Sequence, residues 1–506
     1  MKHMSGLDAF FLFGETHKQA MNLTGIAIYD PASRPDGKTP DHEEILRYAR
    51  ERVEKSHLFR RKVNFIPLNI DFPYWTSDEE FDVEHHVNRV SLPKPGNQQQ
   101  LDEAIARIHG TLISRDHPLW EWWIIEGIDS VDNVPKGSFA LAFKLHHAAF
   151  DGKAAWEVIN AAHDLEAFEG KATWNTNPPP RLSSDEVRPS GAAIATQTVL
   201  RKMATPFKLT STLLGAAPIA YAALRKGVRG FPMFSPRAPR IRFNQPLSNH
   251  RAHRSIRLPI AWLKEARTVA NGATLNDVTL TILSGALSRY LSTHKELPDE
   301  SLIVGVPIAI RSDVTKDSGG NEAILSLVPL ATDIADPIER LKIITSWTST
   351  KKNYAKDIPA DKMIEFADYL PGYATTPAVQ AATELAATRY TPTMFNTICT
   401  NVPASRVPLY LAGAKMVSYD ASGPLWDGAG LIHVVTSYLD QLRISFDADK
   451  SQMPDADYYL DCIKSSIIEF AAAANLNSPL REETAPQKRK TKSSGAAPRK
   501  RVKTKS

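Results

Sequence analysis

Apolar side chains recur along this chain in two rhythms. The stretch Phe139-Ala-Leu-Ala-Phe-Lys-Leu145 is strand-like in length and almost wholly apolar, while beyond it Ala154, Ala155, Val158, Ile159, Ala162 and Leu165 fall at helical spacing. This pattern predicts a strand that passes through a turn into a helix. Trp120 begins a second strand-like run, Trp122-Trp-Ile-Ile125, whose reading as core packing covers Pro118-Leu119-Trp120 as well. A further helix is expected to open near Thr274 and end near Leu291, with Thr274 as cap and Asp277 as third helical residue, a capping-box arrangement. Between these regions Asn177-Pro-Pro-Pro180 and the polar run to Ser190 break the periodicity.

A chain of 506 residues exceeds what one hydrophobic core normally serves, so two domains are expected. The pattern places them at 1–171 and 248–477, joined by a linker over 172–247 and followed by a tail over 478–506. The linker holds an uncharged segment, Leu209 to Leu224, interrupted by Pro218 and flanked by Arg201, Lys202, Lys208, Arg225, Lys226 and Arg229. It falls short of the roughly 20 apolar residues that span a bilayer. Its flanks suit either a helix lying in the membrane interface or a linker helix packed on the protein.

Charge changes the picture at one end. The formal net charge is +5, yet nine basic residues and no acid follow Glu483, so the rest of the chain stands at −4. That tail is expected to be disordered. It could meet anionic lipid, bind nucleic acid nonspecifically, or only aid solubility; without a recognition module, no specific nucleic acid is expected. Cys399 and Cys462 cannot form a disulfide framework, and Asp8 and Glu15 interrupt the short N-terminal apolar run, so a reducing cytoplasm is expected rather than export.

Candidate chemistry sits on the strand-to-helix turn His146-His147-Ala-Ala-Phe-Asp151-Gly152. Successive strand side chains point to opposite faces, so both histidines reach one cavity only if the backbone bends between them. One then acts and the other supports. A neutral imidazole can take a proton from an attacking hydroxyl, because its ordinary pKa is about 6.5. Asp151 would fix the turn or pair with a cation, and Gly152 would supply a backbone angle closed to other residues. Spacing alone also allows structural histidines and an ordinary cap. Adjacent histidines rarely converge on one ion, so no metal site is expected.

The whole motif resembles the HHxxxDG signature of the bacterial wax ester synthase/diacylglycerol acyltransferase family, and the resemblance runs over nearly the whole chain. Met4-Ser-Gly-Leu-Asp8-Ala-Phe-Phe11, Leu58-Phe-Arg-Arg61, Phe81-Asp-Val-Glu-His-His-Val87 and Leu92-Pro-Lys-Pro-Gly96 are similar to family blocks. So are Pro118-Leu119-Trp120-Glu121, Asn276-Asp277, Val306-Pro-Ile-Ala-Ile-Arg311, Gly320-Asn321, Thr400-Asn-Val-Pro403 and Gly423-Pro-Leu-Trp-Asp-Gly-Ala-Gly-Leu431, in the family's order. Two positions depart: Asn22 stands where many members carry histidine, and Ala404-Ser405 follow Asn-Val-Pro where Gly-Pro is common.

The resemblance implies an α/β fold of two chloramphenicol-acetyltransferase-like sandwiches meeting at a central tunnel. It implies His147 as general base, His146 and Asp151 as site-shaping residues, and Asn276 and Asp277 reaching in from the second half. Asn276 or a backbone amide would stabilise the oxyanion, and Arg311 is expected to pair with Asp151. The implied reaction moves a long-chain acyl group from acyl-CoA to diacylglycerol or a long-chain alcohol at a membrane or lipid-droplet surface. Acyl-CoA is then a substrate, and no cofactor is implied. Two rivals remain: a condensation-type catalyst with an amine acceptor, which HHxxxDG alone permits, and a noncatalytic lipid-surface protein.

Overall fold

In the first half the chain forms β1 (Lys2–His3), α1 (Gly6–Gly14), β2 (Asn22–Asp30), α2 (His42–Val53), β3 (Arg61–Asn64), β4 (Tyr74–Ser77), β5 (Val87–Ser91), α3 (Gln98–Gly110), β6 (Trp120–Glu126), β7 (Phe139–His146) and α4 (Gly152–Ala161). The second half forms β8 (Arg251–Pro259), α5 (Ile260–Ala266), α6 (Leu275–Thr293), β9 (Ile303–Ala309), β10 (Ala323–Pro329), α7 (Pro337–Tyr354), β11 (Thr397–Pro403), β12 (Tyr410–Leu411), β13 (Ala414–Ser422), β14 (Leu431–Tyr438), β15 (Gln441–Asp449) and α8 (Ala456–Ala473). The computed structural model describes residues 2–67, 71–167, 196, 198–200, 238–309, 323–354, 385, 388 and 393–480. Leu209–Leu224, Arg311, Gly320, Asn321 and the basic tail lie outside the described residues.

Two six-stranded mixed sheets carry the molecule, ordered β12-β13-β2-β7-β6-β5 and β10-β9-β11-β14-β15-β8, beside a small sheet β1-β4-β3. In the first, β7 is buried along its whole length. Phe139, Leu141, Phe143 and Leu145 enter a core shared with α2 and α4, whereas Ala140 and Ala142 enter the core beneath α3. Small residues on that second face let α3 lie close, and large ones fill the first. Each large side chain so buried contributes about 1.5–3 kcal/mol. In the second sheet's layer, α6 buries residues on every side, as a helix held inside a core must.

The strands are not dealt out strictly in sequence. β12 and β13 come from the second half but pair into the first sheet, with Ser422 opposite Thr24 and Tyr419 opposite Ala27. Gly25 leaves room for the Tyr419 ring across this pairing, because a Cβ there would stand 2.6 Å from Tyr419 Oη. The linker boundary also shifts: Ile241, Phe243 and Leu247, expected in the linker, are buried in second-half clusters. Asn244 fastens that stretch by donating to Phe395 O and Gly428 O at 3.0 and 2.9 Å. Leu165, expected on the apolar face of α4, lies past the helix end at Ala161 and is exposed.

Candidate active site

On the α3 face of β7 the sequence changes from Ala140 and Ala142 to Lys144 and His146, so a polar end is built onto an apolar strand. Lys144 Nζ donates to Thr111 Oγ1 at 2.9 Å and lies 3.0 Å from Glu121 Oε2. His146 is the last strand residue, opposite Asn22, and its ring is buried. Asn22 Nδ2 donates to His109 O at 2.8 Å and Thr111 O at 2.7 Å, sealing that end against α3.

The backbone bends where the sequence required it. Ala149 N and Phe150 N both donate to His146 O, at 3.0 and 3.1 Å, and His147 N donates to Met21 O at 2.8 Å. Ala148 N donates to His146 Nδ1 at 3.0 Å, which leaves the ring proton on Nε2. That nitrogen stands 3.1 Å from Glu15 Oε1. Arg115 Nη2 lies 2.9 Å from the other Glu15 oxygen. Burial alone would raise the Glu15 carboxyl, but His146 and Arg115 outweigh it and hold the pKa at about 2. Glu15 is therefore an anion that orients His146.

His147 meets different surroundings. Its half-buried ring lies face to face with Phe11 of α1, centroids 3.9 Å apart and planes inclined by 9°. Burial lowers its pKa to about 4, with His146 adding to the effect and the residue's own backbone carbonyl opposing it. At neutral pH it carries a lone pair rather than a charge.

The remaining predicted residues divide into those that shape the turn and those used elsewhere. Asp151 caps α4, its Oδ1 accepting from Ala154 N at 2.6 Å. Gly152 departs from expectation: its φ is not in the left-handed region, and a Cβ there would touch nothing within 4 Å, so it is simply the first helical residue. Pro118-Leu119-Trp120 is a brace. Leu119 O accepts from His146 N at 3.0 Å, and the buried Trp120 donates through Nε1 to Phe59 O at 2.7 Å. Asp277 is engaged at its own helix start. It closes the capping box with Thr274, one oxygen accepting from Thr274 N and Oγ1 at 2.8 Å each, the other from Thr348 Oγ1 at 2.8 Å. Asn276 is different, because its Oδ1 is buried without a hydrogen-bond partner among the described residues. The expected partner of Asp151, Arg311, falls outside them.

A sequence profile of the wax ester synthase/diacylglycerol acyltransferase catalytic domain matches residues 4–279, and one of the family's C-terminal domain matches 319–470. The chain belongs to this family. It is 29% identical over 475 residues to a putative diacylglycerol O-acyltransferase of Mycobacterium tuberculosis, covering 92% of this chain and 90% of that protein. It is 29% identical over 485 residues to the O-acyltransferase WSD of Acinetobacter baylyi, covering 93% and 97%. The fold is that of the wax ester synthase/diacylglycerol acyltransferase from Marinobacter aquaeolei VT8, with a TM-score of 0.64, 23% identity, and coverage of 94% and 100%.

Within this family member, sequence reasoning missed Glu15, Arg115, Phe11 and Lys144. Only Lys144 left a signal, as a charge inside an apolar strand. Glu15 reads in the sequence merely as an interruption of an apolar run, and nothing near it announces a histidine 131 positions away.

Proposed function

We propose that this chain is an acyl-CoA-dependent O-acyltransferase that esterifies the hydroxyl of diacylglycerol or a long-chain alcohol. The observation that carries the reading is a neutral, half-buried His147 on a turn braced from three sides, by Met21 O on its own amide and by Leu119 O and Glu15 on His146. His147 takes the hydroxyl proton as the oxygen attacks the thioester carbonyl. The C–S bond breaks, the thiolate leaves, and it recovers the proton from His147. Atoms balance without a covalent acyl-enzyme or a redox partner. Asn276, whose buried amide oxygen lacks a partner among the described residues, is suited to accept, from the second half, a hydrogen bond from substrate, since an unmet buried polar group is costly.

The acceptor and the setting belong to the same proposal. No helix of the described residues is long and apolar enough to cross a membrane. Phe10 and Phe65, 39% and 40% exposed, and the basic-flanked segment Leu209–Leu224 support attachment at a lipid surface. The decisive experiment supplies labelled palmitoyl-CoA with hexadecanol, dioleoylglycerol or hexadecylamine, using wild type and His147→Ala. Ester formation lost in the variant is expected. Product from the amine alone would favour a condensation-type enzyme, and no product from any acceptor would favour a noncatalytic surface protein.

A further inference from the structure

Six residues along β2 from its pairing with His146, the crossover strand β13 meets the second sheet, and a small pocket opens between them. Arg257 of β8, Arg443 and Gln441 of β15, Ser418 of β13, and Tyr438 and Asp440 at the β14–β15 turn line it. Arg257 and Arg443 stand directly opposite each other in the β8–β15 ladder. Like charges in that relation repel and weaken the pairing unless something offsets them.

Among the described residues, hydrogen bonds meet one of the two side chains and not the other. Arg443 donates to Ser255 Oγ at 2.9 Å and Ser418 Oγ at 2.8 Å, and Asp420 lies 3.7 Å away. Asp420 is shared, since it also faces the His253 ring at 3.5 Å. Ser418 reaches Arg443 at an irregularity in the β13–β2 register between Met416 and Ser418, the kind of bulge that re-aims a side chain. Arg257, half-buried, makes no hydrogen bond or ion pair among the described residues. Burial and the charge of Arg443 both depress its pKa, against the pull of Asp440.

We propose that this pocket is an anion subsite for a phosphate group, with Arg257 as the free donor and Arg443 as the fixed one. A planar guanidinium suits phosphate because two N–H groups can bind two oxygens at once. The inference rests on the acyl-CoA reading, for CoA carries its phosphates at the end of the arm remote from the thioester. At ~3.3 Å per strand residue the pocket lies roughly 20 Å from His146. A phospholipid head group offers the same chemistry.

The full chain with Arg257→Gln and Arg257→Lys distinguishes the sources. Expected is a rise of about tenfold in KM for palmitoyl-CoA in Arg257→Gln, the equivalent of one lost charge-assisted hydrogen bond. Arg257→Lys recovers part of it, kcat stays unchanged, and KM for the phosphate-free palmitoyl-pantetheine thioester does not move. If the phosphate belongs instead to a lipid, both KM values hold, while sedimentation with phosphatidylcholine vesicles containing phosphatidic acid falls and that with pure phosphatidylcholine does not. An active wild type whose Arg257→Gln variant alters neither readout, or raises both KM values alike, overturns the subsite. A wild type that makes no ester fails the acyl-transfer reading alone, and the vesicle measurement then decides the subsite by itself.

Discussion

His147, half-buried on the turn after β7, and His253, buried within β8, are the same side chain in two charge states, one neutral and one cationic. Burial lowers both pKa values. At His147 it prevails, and the ring sits at about 4 beside Phe11. At His253 two carboxylates reverse it, Asp447 Oδ1 at 3.0 Å from Nδ1 and Asp420 Oδ2 at 3.5 Å from Nε2, raising the pKa to about 10. Ser422 Oγ, on the crossover strand, stands 3.0 Å from the same Nδ1. The same side chain is thus a base where chemistry needs a lone pair and a cation where the halves are joined. Neighbouring carboxylates, rather than depth, decide which.

The largest effect should separate these roles. His147→Ala is expected to lower kcat by about 10²–10⁴-fold, the usual contribution of a general base, with little change in the urea midpoint. His253→Ala should do the reverse, since it strands Asp447 and Asp420 in the interior. Removing one partner of a buried charge pair costs about 3–5 kcal/mol, readable in urea unfolding of the full chain. If His253→Ala left the unfolding midpoint in place, the joint would be held by other contacts.

The pH dependence of stability sharpens the contrast, and the signs differ. His86, His109, His163 and His433 share the depressed value of about 4 with His147, all through burial. Unfolded, each binds a proton below its ordinary pKa of about 6.5, so stability should fall as pH drops from there toward 4. His253 acts oppositely: its contribution is complete below about 6.5 and is lost as pH rises through about 10. Urea midpoints measured from pH 4.5 to 10 should show both slopes, and His253→Ala should flatten only the alkaline one.

Next in size is Glu15. Glu15→Gln removes the anion that faces His146 and leaves Arg115 without its carboxylate, so kcat should drop by about 10-fold to 100-fold, the range of a charge-assisted hydrogen bond. Glu15→Asp should recover part of the loss. An unchanged kcat in Glu15→Gln would mean that Ala148 N and Leu119 O hold the turn unaided.

The two histidine environments were not equally legible in the sequence. The strand, the bend, the helix and the cap at Asp151 follow from local periodicity and turn chemistry, which is why β7 and α4 lie close to their expected spans. The capping box at Thr274 and Asp277 was legible for the same reason. The structure gives Asp277 a local task that the capping pattern announced, closing the helix start and accepting from Thr348 Oγ1. What periodicity could not supply were contacts set by the meeting of distant segments. Glu15 reaches His146 only after α1 folds across the end of β7, and Ser422 reaches His253 only because β13 crosses into the first sheet. The linker boundary was missed likewise, since the burial of Phe243 depends on a second-half core that its own neighbours do not announce.

The smallest effect tests why His147 is neutral. If the Phe11 face contributes to drying the imidazole, Phe11→Ala should admit water and move the acid limb of kcat/KM upward, from about 4 toward the ordinary 6.5. At pH 7.5 the variant base is still mostly unprotonated, so the rate there should change by less than about threefold, and only the profile reveals the difference. Phe11→Trp, which keeps an aromatic face, should leave the limb low. Because the buried histidines also weaken the fold below 6.5, the acid points require brief exposure after a pH jump, with activity recovered on return to pH 7.5. A limb that stays near 4 in Phe11→Ala would assign the drying to the walls of the turn itself, leaving Phe11 only to hold the ring in plane.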